Sequence, residues 1–134
     1  MMKEPMSESL NPSTVPAPAG PYSQAIVVTG PGKWLHVSGQ IGVGADGATA
    51  EGIAQQTTLA WQNLVAVLAA AGMTVDHLVK VTTFLVDASH LSAVGPVRTR
   101  FLGSARPAST LVIVNELAKK EWLVEVEAVA FSAS

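Results

Sequence analysis

The residues whose types and spacing best suit chemistry are two glutamates near the C-terminus. Glu125 and Glu127 lie two positions apart in the β-rich run LVEVEAVAFS, so a strand places both carboxylates on one face. A carboxylate on a partly apolar face is a candidate general acid or base. A solvated strand end, or an ion pair with a lysine or arginine, explains either glutamate equally well, so both interpretations stay open.

A cluster of arginines precedes the neighbouring strand. Arg98, Arg100 and Arg106 are the only arginines of the chain, and they fall within a short stretch. The first two are expected in the last turn of a helix, where cations oppose the negative end of the macrodipole. Arg106 precedes a proline at a strand entrance, where a guanidinium could bind a carboxylate in bidentate fashion. A subunit-interface ion pair explains Arg106 equally well.

Several classes of function are disfavoured by composition. The chain has no cysteine, and His36, His77 and His90 have no metal-ligand spacing, so we expect no metal site. The net charge is −2 with no basic stripe, so nucleic acid is not an expected partner. No apolar run approaches the roughly 18 residues that span a membrane. Because the N-terminus lacks a signal-like apolar core, a cytoplasmic location is expected.

The N-terminal half predicts an arm, a hairpin and a long helix. Residues 1–16 are rich in proline and are expected to form a flexible arm before a single domain, residues 17–134. Two β-rich runs, 24–29 and 34–39, flank a Gly-Pro-Gly turn and indicate a hairpin. Helical periodicity then extends from Thr49, the expected cap, to Ala71 before Gly72.

The C-terminal half predicts a strand, a helix and two final strands. The β-branched run 78–87 is apolar on both faces, as is typical of a central strand. A second helix is expected over about 90–102, capped by Asp87 or Ser89. Gly95 and Pro96 should break or kink its first turns.

The element order is therefore ββαβαββ, an α+β two-layer domain with both helices on one face of a single mixed sheet. The chain is 49% hydrophobic with a mean hydropathy of +0.36. An apolar second face of the sheet would explain this high hydrophobic content, and self-association into a closed oligomer would bury that face.

Several segments together resemble the Rid/YjgF family, the reactive intermediate deaminases. They are PAGPYSQAI, VSGQI, AAAGMTVDHLVKVTTFLVD, RPASTLVIVNEL and VEVEAVA, and the resemblance covers roughly residues 17–131 in order. It implies a chorismate-mutase-like fold and a homotrimer whose sheets form a central barrel. It also implies three small-molecule clefts at the subunit interfaces.

The resemblance implies hydrolysis of enamines or imines to 2-keto acids and ammonia, without metal or cofactor. Carried over by motif, Tyr22 and Ser38 line the cleft and Glu125 positions or activates water. The family's carboxylate-binding arginine is absent, because Ser109 stands at its position in the PAST stretch. A serine offers one neutral hydrogen bond instead of a charge-assisted pair, so activity on 2-aminoacrylate is in doubt unless Arg106 compensates.

Two hypotheses follow from different classes of function. The first is an imine or enamine hydrolase with Glu125 as the catalytic residue and Tyr22, Ser38, Ser109 and Arg106 as substrate-binding residues. The second is a non-catalytic trimer that binds a small molecule or a protein partner. A ribonuclease or translation inhibitor, an older label of the family, is disfavoured by the acidic net charge.

Overall fold

The computed structural model describes residues 6–133. Eight main elements follow the order β1 (Met6–Leu10), β2 (Ala25–Thr29), β3 (Lys33–Ile41), α1 (Gly52–Ala70), β4 (Leu78–Leu85), α2 (Leu91–Leu102), β5 (Ala108–Ile113) and β6 (Val124–Ser132). Short 3₁₀ turns precede β4 and α2. The fold is α+β as predicted, with one additional strand at its beginning.

The main sheet has four strands in the order β3-β6-β4-β5. β4 and β5 run parallel, whereas β6 is antiparallel to both β3 and β4. The predictions of a mixed sheet and of a central β4 are confirmed. β4 lies between two strands and under the helix layer, and its helix-side residues Val81 and Leu85 are buried and apolar. Its other face carries the polar Lys80 and Thr82 beside Phe84, so the predicted apolar character is confirmed only on the helix side.

The predicted hairpin between β2 and β3 is wrong. β2 pairs with β1 in a separate two-stranded sheet, and β3 pairs with β6. The turn between β2 and β3 includes Gly30, whose φ is +82°, and it carries the chain from one sheet to the other. β1 falls inside the predicted flexible arm, but residues 6–10 contain no proline and can therefore pair as a strand.

α1 begins later than its periodicity predicts. Its N-cap is Glu51, which makes no side-chain capping bond, so the cap predicted at Thr49 is wrong. Thr49 instead forms an isolated bridge with Val43, which uses its backbone in a turn before the helix. The predicted end is confirmed, because Gly72 adopts a φ of +73° just beyond the helix, in the left-handed region that glycine favours.

α2 runs unbroken from Leu91 to Leu102, so the predicted break at Gly95 and Pro96 is wrong. Proline removes one backbone donor, the one that would bond the Ser92 carbonyl. Ser92 is exposed, so water can bond that carbonyl instead. The predicted end before Gly103 is confirmed by a φ of +58° at that residue.

The core lies between the helices and one face of the main sheet. α1 packs on β3 and β6, and α2 packs on α1. Fully buried side chains from both layers meet there, including Trp61, Leu64, Val81, Val94 and Val126. Both helices therefore cover the same face, as predicted. In the described part of the chain, no helix combines the length and apolarity needed to cross a bilayer.

Candidate functional site

The face of the main sheet without helices carries the two glutamates. We call it the open face and define it by Lys80, Thr82 and Phe84 of β4 with Glu125 and Glu127 of β6. Glu125 lies opposite Phe84, and Glu127 lies opposite Thr82. The predicted shared face of the two carboxylates is confirmed by this register.

Glu125 occupies space that a glycine leaves free. A Cβ atom built on Gly39 would lie 2.6 Å from the Glu125 Cδ atom and closer still to its Oε2 atom. Glu125 is half-buried, whereas Glu127 is exposed. The absent side chain at Gly39 therefore allows the Glu125 carboxylate to lie against the β3 backbone.

Ser38 is brought to the same region by a bulge in β3. The pairing of β3 with β6 shifts register between Val37 and Gln40, and a bulge of this kind re-aims side chains locally. Ser38 is exposed and immediately precedes Gly39. Two of the predicted site residues, Ser38 and Glu125, therefore share one neighbourhood.

Tyr22 lies beside the start of β5. Its neighbour Ser23 is buried and forms a parallel bridge with Ala108. The Ser23 backbone N–H donates to the Pro107 carbonyl at 2.9 Å, and its hydroxyl donates to the Arg106 carbonyl. These bonds fix the Tyr22 segment along the β5 entrance, which we define as residues 106–108.

Ser109 follows that entrance on the helix-covered face. It is half-buried and pairs with Val81, a core residue of β4. Thr110 points to the opposite side, where its hydroxyl accepts a hydrogen bond from Lys80 Nζ at 2.6 Å. Within one chain, Ser109 and Tyr22 thus belong to one group and Glu125 and Ser38 to another, on the other face of the sheet.

Arg106 bonds to its own loop. Its Nη1 atom donates to the carbonyl oxygens of Gly103 and Ala105, both at 2.8 Å. The Gly103 carbonyl is at the C-cap of α2, where basic side chains commonly bond unpaired carbonyls, and the Ala105 carbonyl lies in the loop that follows. The structure therefore gives Arg106 a position at the helix end, and its role toward a substrate stays a prediction.

The other two arginines differ from each other. Arg100 lies in the last turn of α2, where the macrodipole explains it, and its guanidinium lies 5.8 Å from the Phe101 ring centre. Arg98 precedes that turn and is half-buried, and its Nε atom is buried without a hydrogen-bond partner in the described chain. Sequence periodicity placed Arg98 in the last turn and so missed this difference.

A concavity elsewhere holds none of the predicted site residues. It measures about 430 Å³ and lies between the C-terminal parts of α1 and α2, with a mainly apolar lining that includes Val65, Met73 and Phe101. In residues 6–133, no three His, Cys, Asp or Glu side chains come together as a metal site would require.

The fold and this arrangement place the chain in a known class of small α+β proteins. The family model described as Endoribonuclease L-PSP matches residues 13–132, and the chain belongs to this family, the Rid/YjgF family of the sequence resemblance.

Curated relatives match over nearly the whole chain. A RutC family protein of Pyrococcus horikoshii is 35% identical, covering 94% of this chain and 98% of its own. A 2-iminobutanoate/2-iminopropanoate deaminase of Bos taurus is 36% identical, covering 88% of this chain and 86% of its own.

Solved structures agree with the fold. A Rid family protein of unknown function from Yersinia pestis, YyfB, superposes with a TM-score of 0.84 at 29% identity, covering 94% of this chain and 98% of its own. RidA from an Antarctic Psychrobacter bacterium gives 0.72 at 28% identity, covering 93% and 99%.

Proposed function

We propose that this protein is a cytoplasmic homotrimeric hydrolase of the deaminase type, acting on a reactive imine or enamine without metal or cofactor. The observation that carries the proposal is the Glu125 carboxylate lying in the space left by Gly39, beside Ser38. A carboxylate held in a fixed place can act on a water molecule and a small substrate. The deaminase name of mammalian relatives supports the same reaction class.

The chemistry needs one acid–base group. Glu125 takes a proton from water as the water oxygen attacks the imine carbon, and it passes that proton to the nitrogen as the C=N double bond becomes a C–N single bond. In the resulting carbinolamine, Glu125 takes the hydroxyl proton and gives it to the nitrogen, so that the C–N bond breaks, ammonia leaves and a C=O bond forms. Positioned general acid–base groups contribute about 10²–10⁴-fold to such steps.

A subunit interface would join the two groups of candidate residues. Ser109 and Glu125 lie on opposite faces of one sheet, so a cleft within one chain does not unite them. A neighbouring copy facing the open face can bring its own β5 entrance toward Glu125. Apolar side chains that remain exposed, Trp34 and Val112 among them, support burial of this surface in a trimer.

The Glu125→Gln variant tests the proposal directly. Ammonia release would be measured with a panel of imines generated in situ from amino acids, 2-aminoacrylate included. We expect a loss of about 10²–10⁴-fold in the variant because the proton acceptor is gone. Glu127→Gln, on the same face but exposed, is the matched control and should keep its rate. Absence of turnover with every imine in the wild-type protein would refute the proposal.

A second candidate is a trimer that binds a small molecule or a protein partner without catalysis. The neutral Ser109 at the position of an anionic-substrate anchor favours it. This candidate predicts that a ligand raises the melting temperature while no product forms. The ribonuclease implied by the family label is disfavoured by the net charge of −2, because nucleic-acid affinity rests mainly on cationic contacts to phosphate.

A further inference from the structure

The three arginines of the chain differ in the contacts that their guanidinium groups make. Arg106 donates to two loop carbonyls, and Arg100 lies at the helix end near an aromatic ring. Arg98 has a buried Nε–H with no acceptor among the described residues. Buried donors are nearly always bonded in native proteins, so this one calls for an acceptor that residues 6–133 do not provide.

The position of Arg98 is next to the segment that carries Tyr22. A Cβ atom built on Gly20 would lie 3.9 Å from Arg98 Nη2 and 3.8 Å from two carbons of the Tyr22 ring. The glycine therefore lies between the guanidinium and the phenol with no side chain of its own. The Tyr22 oxygen accepts a hydrogen bond from the Ala19 N–H at 3.2 Å, which leaves its own proton free to donate.

α2 has open space on the side that carries Arg98. Gly95 is one helical turn before Arg98 and so lies on the same side of the helix. A Cβ atom on Gly95 would meet no atom within 4 Å.

We propose that Arg98 binds the carboxylate of the substrate, in the role that Ser109 cannot fill. This inference rests on the proposed function and names its substrate class, a small imine that carries a carboxylate. Nε and Nη2 form one edge of the guanidinium, and that edge matches the two oxygens of a carboxylate. Because Nε is shielded from solvent, binding requires a small local shift of the guanidinium or of the Gly20 backbone beside it.

Binding of a product-like acid tests the inference independently of turnover. Isothermal titration calorimetry would compare pyruvate with its neutral amide, pyruvamide, for the wild type, Arg98→Gln and Arg100→Gln. The wild type should prefer pyruvate, and Arg98→Gln should weaken pyruvate binding by about tenfold or more while leaving the amide unchanged. Arg100→Gln, on the same helix, is the matched control and should bind as the wild type does.

A second pair of variants covers the case in which Arg98→Gln does not fold. Arg98→Lys retains the charge but not the planar fork, so weaker pyruvate binding supports the inference and unchanged affinity overturns it. Ser109→Arg, added to Arg98→Gln or Arg98→Lys, should restore pyruvate binding by supplying a guanidinium where the family resemblance places the carboxylate-binding arginine.

The outcomes separate this inference from the proposed function. Pyruvate binding that is equal in the wild type and Arg98→Gln, or a wild type without preference for pyruvate over the amide, overturns the inference and leaves the hydrolase proposal to its own assay. Binding that depends on Arg98, together with no imine turnover, supports the inference and refutes the hydrolase.

Discussion

At the scale of single residues, the candidate site depends on a side chain that is missing. Gly39 and Glu125 come from neighbouring strands, and the carboxylate fills the volume that any other residue at position 39 would occupy. The carboxylate is the flexible end of its side chain, so crowding would move it before it moved the backbone. A substitution at Gly39 can therefore change the chemistry without unfolding the protein.

The Gly39→Ala variant should lower ammonia release strongly while lowering the free energy of unfolding by only about 1 kcal/mol. The new methyl group displaces Glu125 from its place against β3. Gly44→Ala is the control, because its Cβ would also meet a carboxylate, that of exposed Asp46 at 2.9 Å, but outside the candidate site. Steady-state rates and urea denaturation would be measured for both, and a normal rate in Gly39→Ala would contradict the assigned position of Glu125.

Sequence reasoning reached some of these residues and not others, for physical reasons. Strand alternation is local, so the shared face of Glu125 and Glu127 could be predicted from a period of two. Arg98 could not be singled out, because its neighbour Gly20 is distant in sequence and only folding brings them together. The exact end of α2 was also needed to tell the arginines apart. The macrodipole acts only within the last helical turn, which contains Arg100 but not Arg98.

At the scale of elements, the backbone immediately after β3 lies close against α1. A Cβ atom on Gly42 would lie 2.5 Å from the Gln56 Cα atom, so backbone faces backbone. Gln56 is buried, and its amide bonds the carbonyl of Glu121 and the N–H of Leu123 just before β6. The first turns of α1 thus hold the strand that carries Glu125.

Gly42→Ala should lower the free energy of unfolding by about 1–3 kcal/mol, because overpacking against a helix backbone has no flexible group to relieve it. Gly95→Ala is the matched control in the interior of α2, where a Cβ meets nothing. It should be neutral or stabilise the protein by up to about 1 kcal/mol. Urea denaturation of both variants measures this, and equal stability of the two would show that β3 and α1 are not in close contact.

The turn before α2 has a pH-dependent cap. Hydrogen bonds from the Ser89 hydroxyl and then from the Ser89 backbone N–H lower the pKa of Asp87 below its ordinary value. A depressed pKa means that the cap stabilises the fold above the ordinary carboxyl pKa and that this stability is lost as pH falls through the lowered pKa.

Asp87→Ala should therefore melt at a lower temperature than the wild type at neutral pH, and the difference should shrink in strong acid. Asp46→Ala serves as a comparison, because Asp46 also caps a turn, through the Ala48 N–H, but precedes no helix. Melting curves across the acidic range test this, and a difference between Asp87→Ala and the wild type that does not depend on pH would contradict it.

Some helices and strands could be predicted from local sequence patterns, and others could not. The helical period of α1 and the β-branched run of β4 depend on local burial, so both elements could be predicted. β2 could pair with β1 or with β3, and it pairs with β1. The local sequence pattern of β2 does not determine which strand is its partner. α2 continues through Pro96 because solvent can reach the Ser92 carbonyl, which has lost its helical donor. Sequence periodicity does not report solvent access.

At the scale of the whole molecule, the open face mixes charged and apolar side chains. Phe84 and Val112 lie among Glu125, Lys80 and Thr110, and Val112 is 38% exposed. A mixed face of this kind suits an interface that also holds a polar site.

Val112→Asp should reduce the proposed trimer to a monomer, because a carboxylate would be desolvated in the interface. Leu91→Asp is the control, since Leu91 is also exposed, at the start of α2 on the helix side of the molecule. Sedimentation equilibrium gives the mass of each. A wild-type protein that is monomeric at all concentrations would refute the trimer and the composite cleft.

The two-stranded sheet also has a kinetic consequence. Gly20 and Tyr22 lie in the loop between β1 and β2, and this loop is closed by the strand pairing and by the Asn11 side chain, which accepts from the Gln24 N–H at 2.7 Å. Every residue of β1 is exposed, and such peripheral pairs open at little free-energy cost. Opening of the β1–β2 pairing would loosen the N-terminal side of this loop while the four-stranded sheet stays closed, and the Ser23 bonds would keep Tyr22 at the β5 entrance. Amide exchange should therefore be faster in β1 than in the four-stranded sheet.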